Sequence, residues 1–258
     1  MDLKLTGKVA LVLAASKGLG KAIAQTLAAE GAKVIIGSRD KTELDKVAAE
    51  ISALTRNKIV AIAVDVSKSD ELSAFIAKAA ETYGHIDILV NNAGGPPFDK
   101  FENFDDGAWQ KAFDLNLLSV ARTSKAVLPY MKPTGGGRII NIISGSVKAV
   151  LANSVLSTAM RMGVVGMAKM MADEFGPYNI TVNNVAPGLI LTDRIKHTLP
   201  KDVDTETAMK EKAKAIPLGR IGDPTELAAL VTFLASQQAS YISGQTIQVD
   251  GGASRAIY

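Results

Sequence analysis

The chain has 258 residues, 47% of them apolar, enough for a core built without staples, and its 29 basic and 26 acidic residues leave a net charge of only +3. No block of like charges marks a nucleic-acid arm or a membrane patch, and a chain without cysteine has no thiol or disulfide chemistry. Two histidines, His85 and His197, are too few for a structural zinc site, so no metal is expected.

Short β-type runs alternate with amphipathic stripes along the whole chain. Strands are read at Lys8 to Leu13, Lys33 to Gly37, Ile59 to Val64, Ile86 to Val90, Arg138 to Ile143, Ile180 to Val185 and Thr246 to Val249. Helices fall between them, at 19–30, 42–55, 69–83, 105–131, 155–175 and 224–236. The apolar run Val9 to Ala15 is too short to span a membrane and is read as a buried strand, not a leader core. In the second helix, Leu44, Val47, Ala48, Ile51 and Leu54 define an apolar face, with Lys41, Asp45, Lys46 and Glu50 between them. Gly135, Gly136 and Gly137 read as a turn feeding the fifth strand. Alternation of this kind builds a single-domain α/β fold over 1–258, a doubly wound parallel sheet of about seven strands with helices on both faces. The stretch 188–223, polar and carrying Pro200 and Pro217, breaks the alternation and is long enough for a substrate lid.

The first strand runs into Ala14-Ala15-Ser16-Lys17-Gly18-Leu19-Gly20 and then a helix, which puts backbone N–H groups and a helix N-terminus where a pyrophosphate binds. After the second strand, where an acidic residue would take a ribose 2′-hydroxyl, the chain reads Gly37-Ser38-Arg39. A cation there, with Lys17 in the loop, suits a 2′-phosphate, so NADP(H) is favoured over NAD(H). The alternative is that both are solvated surface cations.

These motifs resemble the short-chain dehydrogenase/reductase family over essentially the whole chain, from Gly7-Lys8-Val9 to Asp250-Gly251-Gly252. The nearest branch is the 3-oxoacyl-acyl-carrier-protein reductases, through Gly137-Arg138-Ile139-Ile140-Asn141-Ile142 and Ile242-Ser243-Gly244-Gln245. The resemblance implies a Rossmann fold and assigns coenzyme contacts to Ser16, Lys17, Gly18, Leu19, Gly20, Ser38 and Arg39, to Asp65 and Val66, and to Asn92, Ala93 and Gly94. It assigns the carboxamide end of the nicotinamide to Pro187, Gly188, Ile190 and Thr192. It also implies a homotetramer formed through the fourth and fifth helices.

The departure lies in the catalytic set. The family pairs a helix Asn and a strand-end Ser with a Tyr-x-x-x-Lys; Asn116 and Ser144 match, but Ser157 and Arg161 stand where Tyr and Lys are expected. Their i, i+4 spacing keeps both on one helix face. An aliphatic hydroxyl is a far weaker acid than a phenol, whereas Arg161 keeps its charge and can still hold ribose hydroxyls. Lys148, or a Ser144, Ser157 and water relay, is the candidate proton donor. Ala14 replaces the first glycine of the family loop.

The expected function is hydride transfer between NADP(H) and a small-molecule carbonyl or alcohol, seated between Ser144, the lid and the apolar loop Gly95-Pro96-Pro97-Phe98. Two alternatives stay open: a lyase or isomerase in which Ser144, Ser157 and Arg161 bind an oxyanion, and a nucleotide-binding sensor or inactive subunit. Neither nucleic acid nor membrane is an expected partner, and the expected location is cytoplasmic.

Overall fold

Seven runs rich in Val and Ile become strands: β1 (Val9–Leu13), β2 (Lys33–Ser38), β3 (Val60–Ala63), β4 (Ile88–Asn91), β5 (Gly137–Ile142), β6 (Ile180–Pro187) and β7 (Thr246–Val249). They are seen in a computed structural model, which describes residues 1–196 and 204–257. His197 and Pro200 lie outside the described residues, as does part of the expected lid. All six strand pairings are parallel, in the order β3-β2-β1-β4-β5-β6-β7. The order reverses between β1 and β4, so the connections leave these strands in opposite directions and open a crevice at their carboxyl ends.

Alternation along each strand feeds two apolar layers. On β1, Ala10 and Val12 join Val34, Ile36 and Val90 under α1 (Gly18–Ala29) and α2 (Lys41–Thr55), while Leu11 and Leu13 face the opposite layer with α3 (Ser69–Tyr83). The segment expected as one helix at 105–131 is three pieces: α4 (Asp106–Phe113), a π-helical turn (Asp114–Leu118) and α5 (Ser119–Met131). Periodicity alone does not reveal a single wide turn. Then come α6 (Val155–Phe175), α7 (Asp193–Lys196), α8 (Thr205–Ala213) and α9 (Pro224–Ala235).

Both α7 and α8 lie within 188–223, where no helix is expected. Polar Thr205 to Ala213 makes a helix capped by Asp204, whose side chain accepts from Thr207 N–H. Leu54 is 63% exposed, because α2 reaches its left-handed cap at Arg56 before the last apolar turn meets the sheet. Gly137 belongs to β5 and not to the turn before it; a Cβ there would lie 2.5 Å from Met131 Sδ.

A buried amide ladder ties four strands together below the crevice. Asn91 Nδ2 donates to Asn141 Oδ1, Asn141 Nδ2 to Asn184 Oδ1 (2.9 Å each) and Asn184 Nδ2 to Thr246 Oγ1 (3.1 Å), following the strand register. Thr123 of α5 donates to Asn91 Oδ1 at 2.6 Å. Removing the central member would leave buried neighbours unsatisfied, at about 1–3 kcal/mol each. Asn141→Leu is expected to lose about 2–5 kcal/mol in a urea melt; an unchanged midpoint would show that the ladder contributes nothing.

Candidate active site

The carboxyl end of β1 turns sharply into α1. Ala14 has φ +48°, in the left-handed region where the family glycine would sit without strain, and Gly18 follows at φ +55°. Gly20 lies so close to the preceding turn that a Cβ there would stand 2.4 Å from the Ala14 carbonyl oxygen. Only glycine fits there, and that proximity aims the start of α1 at the crevice. Ser38 Oγ, at the end of β2, donates to Ser16 Oγ at 3.0 Å. Lys17 and Arg39 are exposed beside this turn, and among the described residues their side chains make no hydrogen bond or ion pair.

Desolvation opposes ionisation of Asp65. Hydrogen bonds from the Ser67 N–H and hydroxyl, with the charges of Arg39 and Lys68, nevertheless hold its carboxyl below the ordinary value. Arg39 and Asp65 therefore share one rim of the crevice, at the ends of β2 and β3. Across it, Asn92 Nδ2 donates to the Ala14 carbonyl at 3.4 Å, and Asn116 Nδ2 donates to Gly94 O at 2.9 Å. Asn116 sits in the π turn, 2% exposed, and its Oδ1 has no partner. A π turn at such a position is a frequent mark of a functional residue.

Ser144 follows β5, and its Oγ accepts from Ser146 N–H at 3.2 Å. Ser157 and Arg161 lie one turn apart on α6, 9% and 7% exposed. The Arg161 guanidinium donates through Nη1 to Ile142 O at 2.7 Å, and its buried Nε has no partner. Burial, with the charge of Arg194 added, pushes it down to about 10. Arg161, Asn116, Asn92, Ala93 and Val66 border one narrow cavity, whose remaining wall includes Leu13 and Ile142. Five of the predicted residues, Val66, Asn92, Ala93, Asn116 and Arg161, thus meet beside the ends of β1, β4 and β5.

Residues from β6 complete the enclosure. Gly188 N–H donates to Val249 O at 2.9 Å, and a Cβ on Gly188 would lie 2.5 Å from that of Asp250. Ile190 is buried against Gly222 in a short parallel bridge, so its side chain packs the base of the segment. Thr192 crosses to the first turn; a Cβ on Gly18 would be 3.4 Å from its Cγ2. Lys148 borders a different cavity, of about 840 Å³, with Thr158, Ala159 and Met162 on the back of α6. No hydrogen bond links Lys148, Ser144 and Ser157. Tyr83 and Tyr178 lie under the ammonium groups of Lys33 and Lys132, away from the crevice, and Tyr241 is fully exposed.

A family model described as enoyl-(acyl carrier protein) reductase matches residues 13–254. The chain is 40% identical over 252 residues to a 3-oxoacyl-[acyl-carrier-protein] reductase of Vibrio cholerae, covering 97% of this chain and 98% of that one. The chain belongs to the short-chain dehydrogenase/reductase family. An NAD-dependent glycerol dehydrogenase of Listeria innocua is 35% identical, with 97% of this chain and 95% of that one covered. L-Sorbose reductase from Gluconobacter frateurii, solved with NADPH and L-sorbose, superposes with a TM-score of 0.96 at 30% identity and full coverage of both chains.

Within this short-chain dehydrogenase/reductase, the residues present fit a dinucleotide: a turn kept open by Gly20, two unpaired cations, and the orphaned polar atoms of Asn116 and Arg161. One participant had no signal in the sequence. Arg194 of α7 donates from Nη1 to Gly95 O (2.8 Å) and from Nη2 to Pro96 O (2.9 Å), with its guanidinium carbon 5.4 Å from the Phe98 ring centroid. A lone arginine in a polar stretch announces nothing; only the fold brings it onto that loop.

Proposed function

We propose that the chain is an NADP(H)-dependent oxidoreductase of carbonyl and alcohol groups whose proton delivery differs from the family's. The observation that carries this reading is the meeting of the first turn, Asn116 and Arg161 at the switch point of the sheet. Coenzyme choice rests on Arg39 and Lys17, because family members of both preferences are similar to this chain. The backbone of Ser16 to Gly20 would hold the pyrophosphate, Asp65 and Val66 the adenine, and Arg161 with Asn92 the nicotinamide ribose. When bound, the nicotinamide supplies or accepts the hydride.

Ser144 and Ser157 donate hydrogen bonds to the reacting oxygen, and Arg161 contributes positive charge behind them. With no phenol at the site, water passes the proton through these hydroxyls. Supporting this, neither serine is tied to an internal acceptor by its hydroxyl hydrogen, so both remain available. The stretch 188–223 covers the substrate, a role supported by Thr192 beside Gly18 and Arg194 on the 95–96 backbone. Self-association as a homotetramer is supported by exposed Phe101, Leu151 and Met162 around the cavity behind α6. Among the described residues no helix is long and apolar enough to cross a membrane.

Arg39→Ala tests the coenzyme assignment. A charge-assisted contact to the 2′-phosphate is worth about 1.5–3 kcal/mol, so the Kd for NADPH should rise about tenfold or more while that for NADH stays the same. Equal changes for both coenzymes would remove Arg39 from the 2′-phosphate.

A further inference from the structure

Two guanidinium groups stand at this site, Arg161 in its cavity and Arg194 on the neighbouring 95–96 loop, and among the described residues neither has a carboxylate partner. Arg161 is nine-tenths buried with one bond to a backbone carbonyl and an orphaned Nε. Arg194 stands on the exposed rim and spends two of its five N–H groups on the carbonyls of Gly95 and Pro96. The two are joined by a short path: Arg161 shares a cavity with Asn116, Asn116 bonds Gly94, and the next two residues carry Arg194. Arg194 lies near enough for its charge to bear on Arg161. Buried charge is ordinarily paired, and a low-dielectric crevice holding two like charges is stabilised by whatever anion enters it.

The coenzyme's own anions do not answer this need, because its phosphates belong at the first turn and beside Arg39, while its ribose is neutral. We infer that the substrate itself is an anion: a carbonyl compound bearing a carboxylate next to the reacting carbon, an α-keto acid or its hydroxy acid. Its carboxylate is received at the rim by Arg194, whose remaining N–H groups match the flat, two-oxygen shape of the ligand, with the Arg161 charge behind. The apolar loop Pro96-Pro97-Phe98 then takes the remainder of the substrate. This inference rests on the oxidoreductase reading and adds the chemical class of its substrate.

The test uses the full chain saturated with NADP⁺, which binds a keto acid without turning it over. Branched and straight α-keto acids are each titrated against their uncharged methyl esters, with binding read by calorimetry. The parent should bind each acid about tenfold to a hundredfold more tightly than its ester. Arg194→Gln should bring that ratio close to one, whatever the change in affinity that acid and ester share through the 95–96 loop, and Arg194→Lys should keep an intermediate preference, because it keeps the charge but not the two-pronged fit. Equal binding of acid and ester by the parent would overturn the inference, and so would an unchanged ratio in Arg194→Gln. A lysine variant as poor as the glutamine one would also overturn it, since Arg194 would then act only by holding the 95–96 loop. Coenzyme binding is read separately by melting: if NADP⁺ and NADPH give no protection, the oxidoreductase reading falls first and takes this inference with it.

Discussion

Arg161→Met will be more stable than the parent chain and will lose most coenzyme-dependent activity. The guanidinium is enclosed, bonded to one carbonyl and otherwise unpartnered, so the fold bears the desolvation of a charge that nothing in the protein neutralises. Methionine fills similar space without that penalty. Replacing buried ionic groups with apolar ones of like volume is neutral or stabilising by about 1–4 kcal/mol, and the lost bond to Ile142 O returns roughly 1 kcal/mol of this. A net gain of up to about 3 kcal/mol raises the melting temperature by up to several degrees. The sign with pH follows from the lowered value of about 10, below the ordinary guanidinium range: the folded state sheds this proton more readily than the unfolded one. The penalty is therefore complete at neutral pH and shrinks only as pH rises above about 10, so the advantage of the variant should be constant across neutral pH. Activity should fall by about tenfold to a hundredfold in kcat/KM, because the proposed mechanism makes Arg161 the charge behind the reacting oxygen and the anchor of the ribose. A variant less stable than the parent would show that the guanidinium is paired after all, by water or by an anion retained on purification.

The double change Ser157→Tyr with Arg161→Lys should accelerate ketone reduction. A positioned general acid contributes about 10²- to 10⁴-fold, and the helix face that carries Ser157 and Arg161 already has the spacing the pair requires. Ser157 forms no side-chain hydrogen bond that a phenol would break, and it lies one turn before Arg161 on α6. The expected result is a rise in kcat of about 10²-fold or more, with a pH profile that gains a limb from the new phenol. Turnover that stays level or falls would mean that the native chain already has an efficient donor, and the water relay through Ser144 and Ser157 would have to be abandoned.

Much of the fold was legible because its signals are local. Seven β-rich runs and the long amphipathic helices occur within a residue or two of where hydrophobic period and turn chemistry put them. The glycine turn, Asn92, Asn116, Ser144, Ser157 and Arg161 could be aligned by order and spacing, and Asn92, Asn116 and Arg161 line one cavity because parallel strands all end on one side. Other features depend on what comes together from far apart. The π turn holding Asn116 changes one hydrogen-bond register inside a continuous helical pattern, which leaves periodicity almost untouched. The Asn91–Asn141–Asn184 ladder requires strand register across residues far apart in sequence. Arg194 reaches the loop at Gly95 from 99 residues away. Leu54 continues the apolar period of α2 beyond the point where the sheet can cover it.

Whether the first turn, Lys17 and Arg39 receive a phosphorylated dinucleotide is read by calorimetric titration of the unmodified chain with NADPH and with NADH. Expected are saturable heat with NADPH, an affinity for NADH at least about tenfold weaker, and protection against melting of about 2.7 kcal/mol at a hundredfold excess of NADPH over its Kd. No heat and no protection with either coenzyme would contradict the coenzyme assignment.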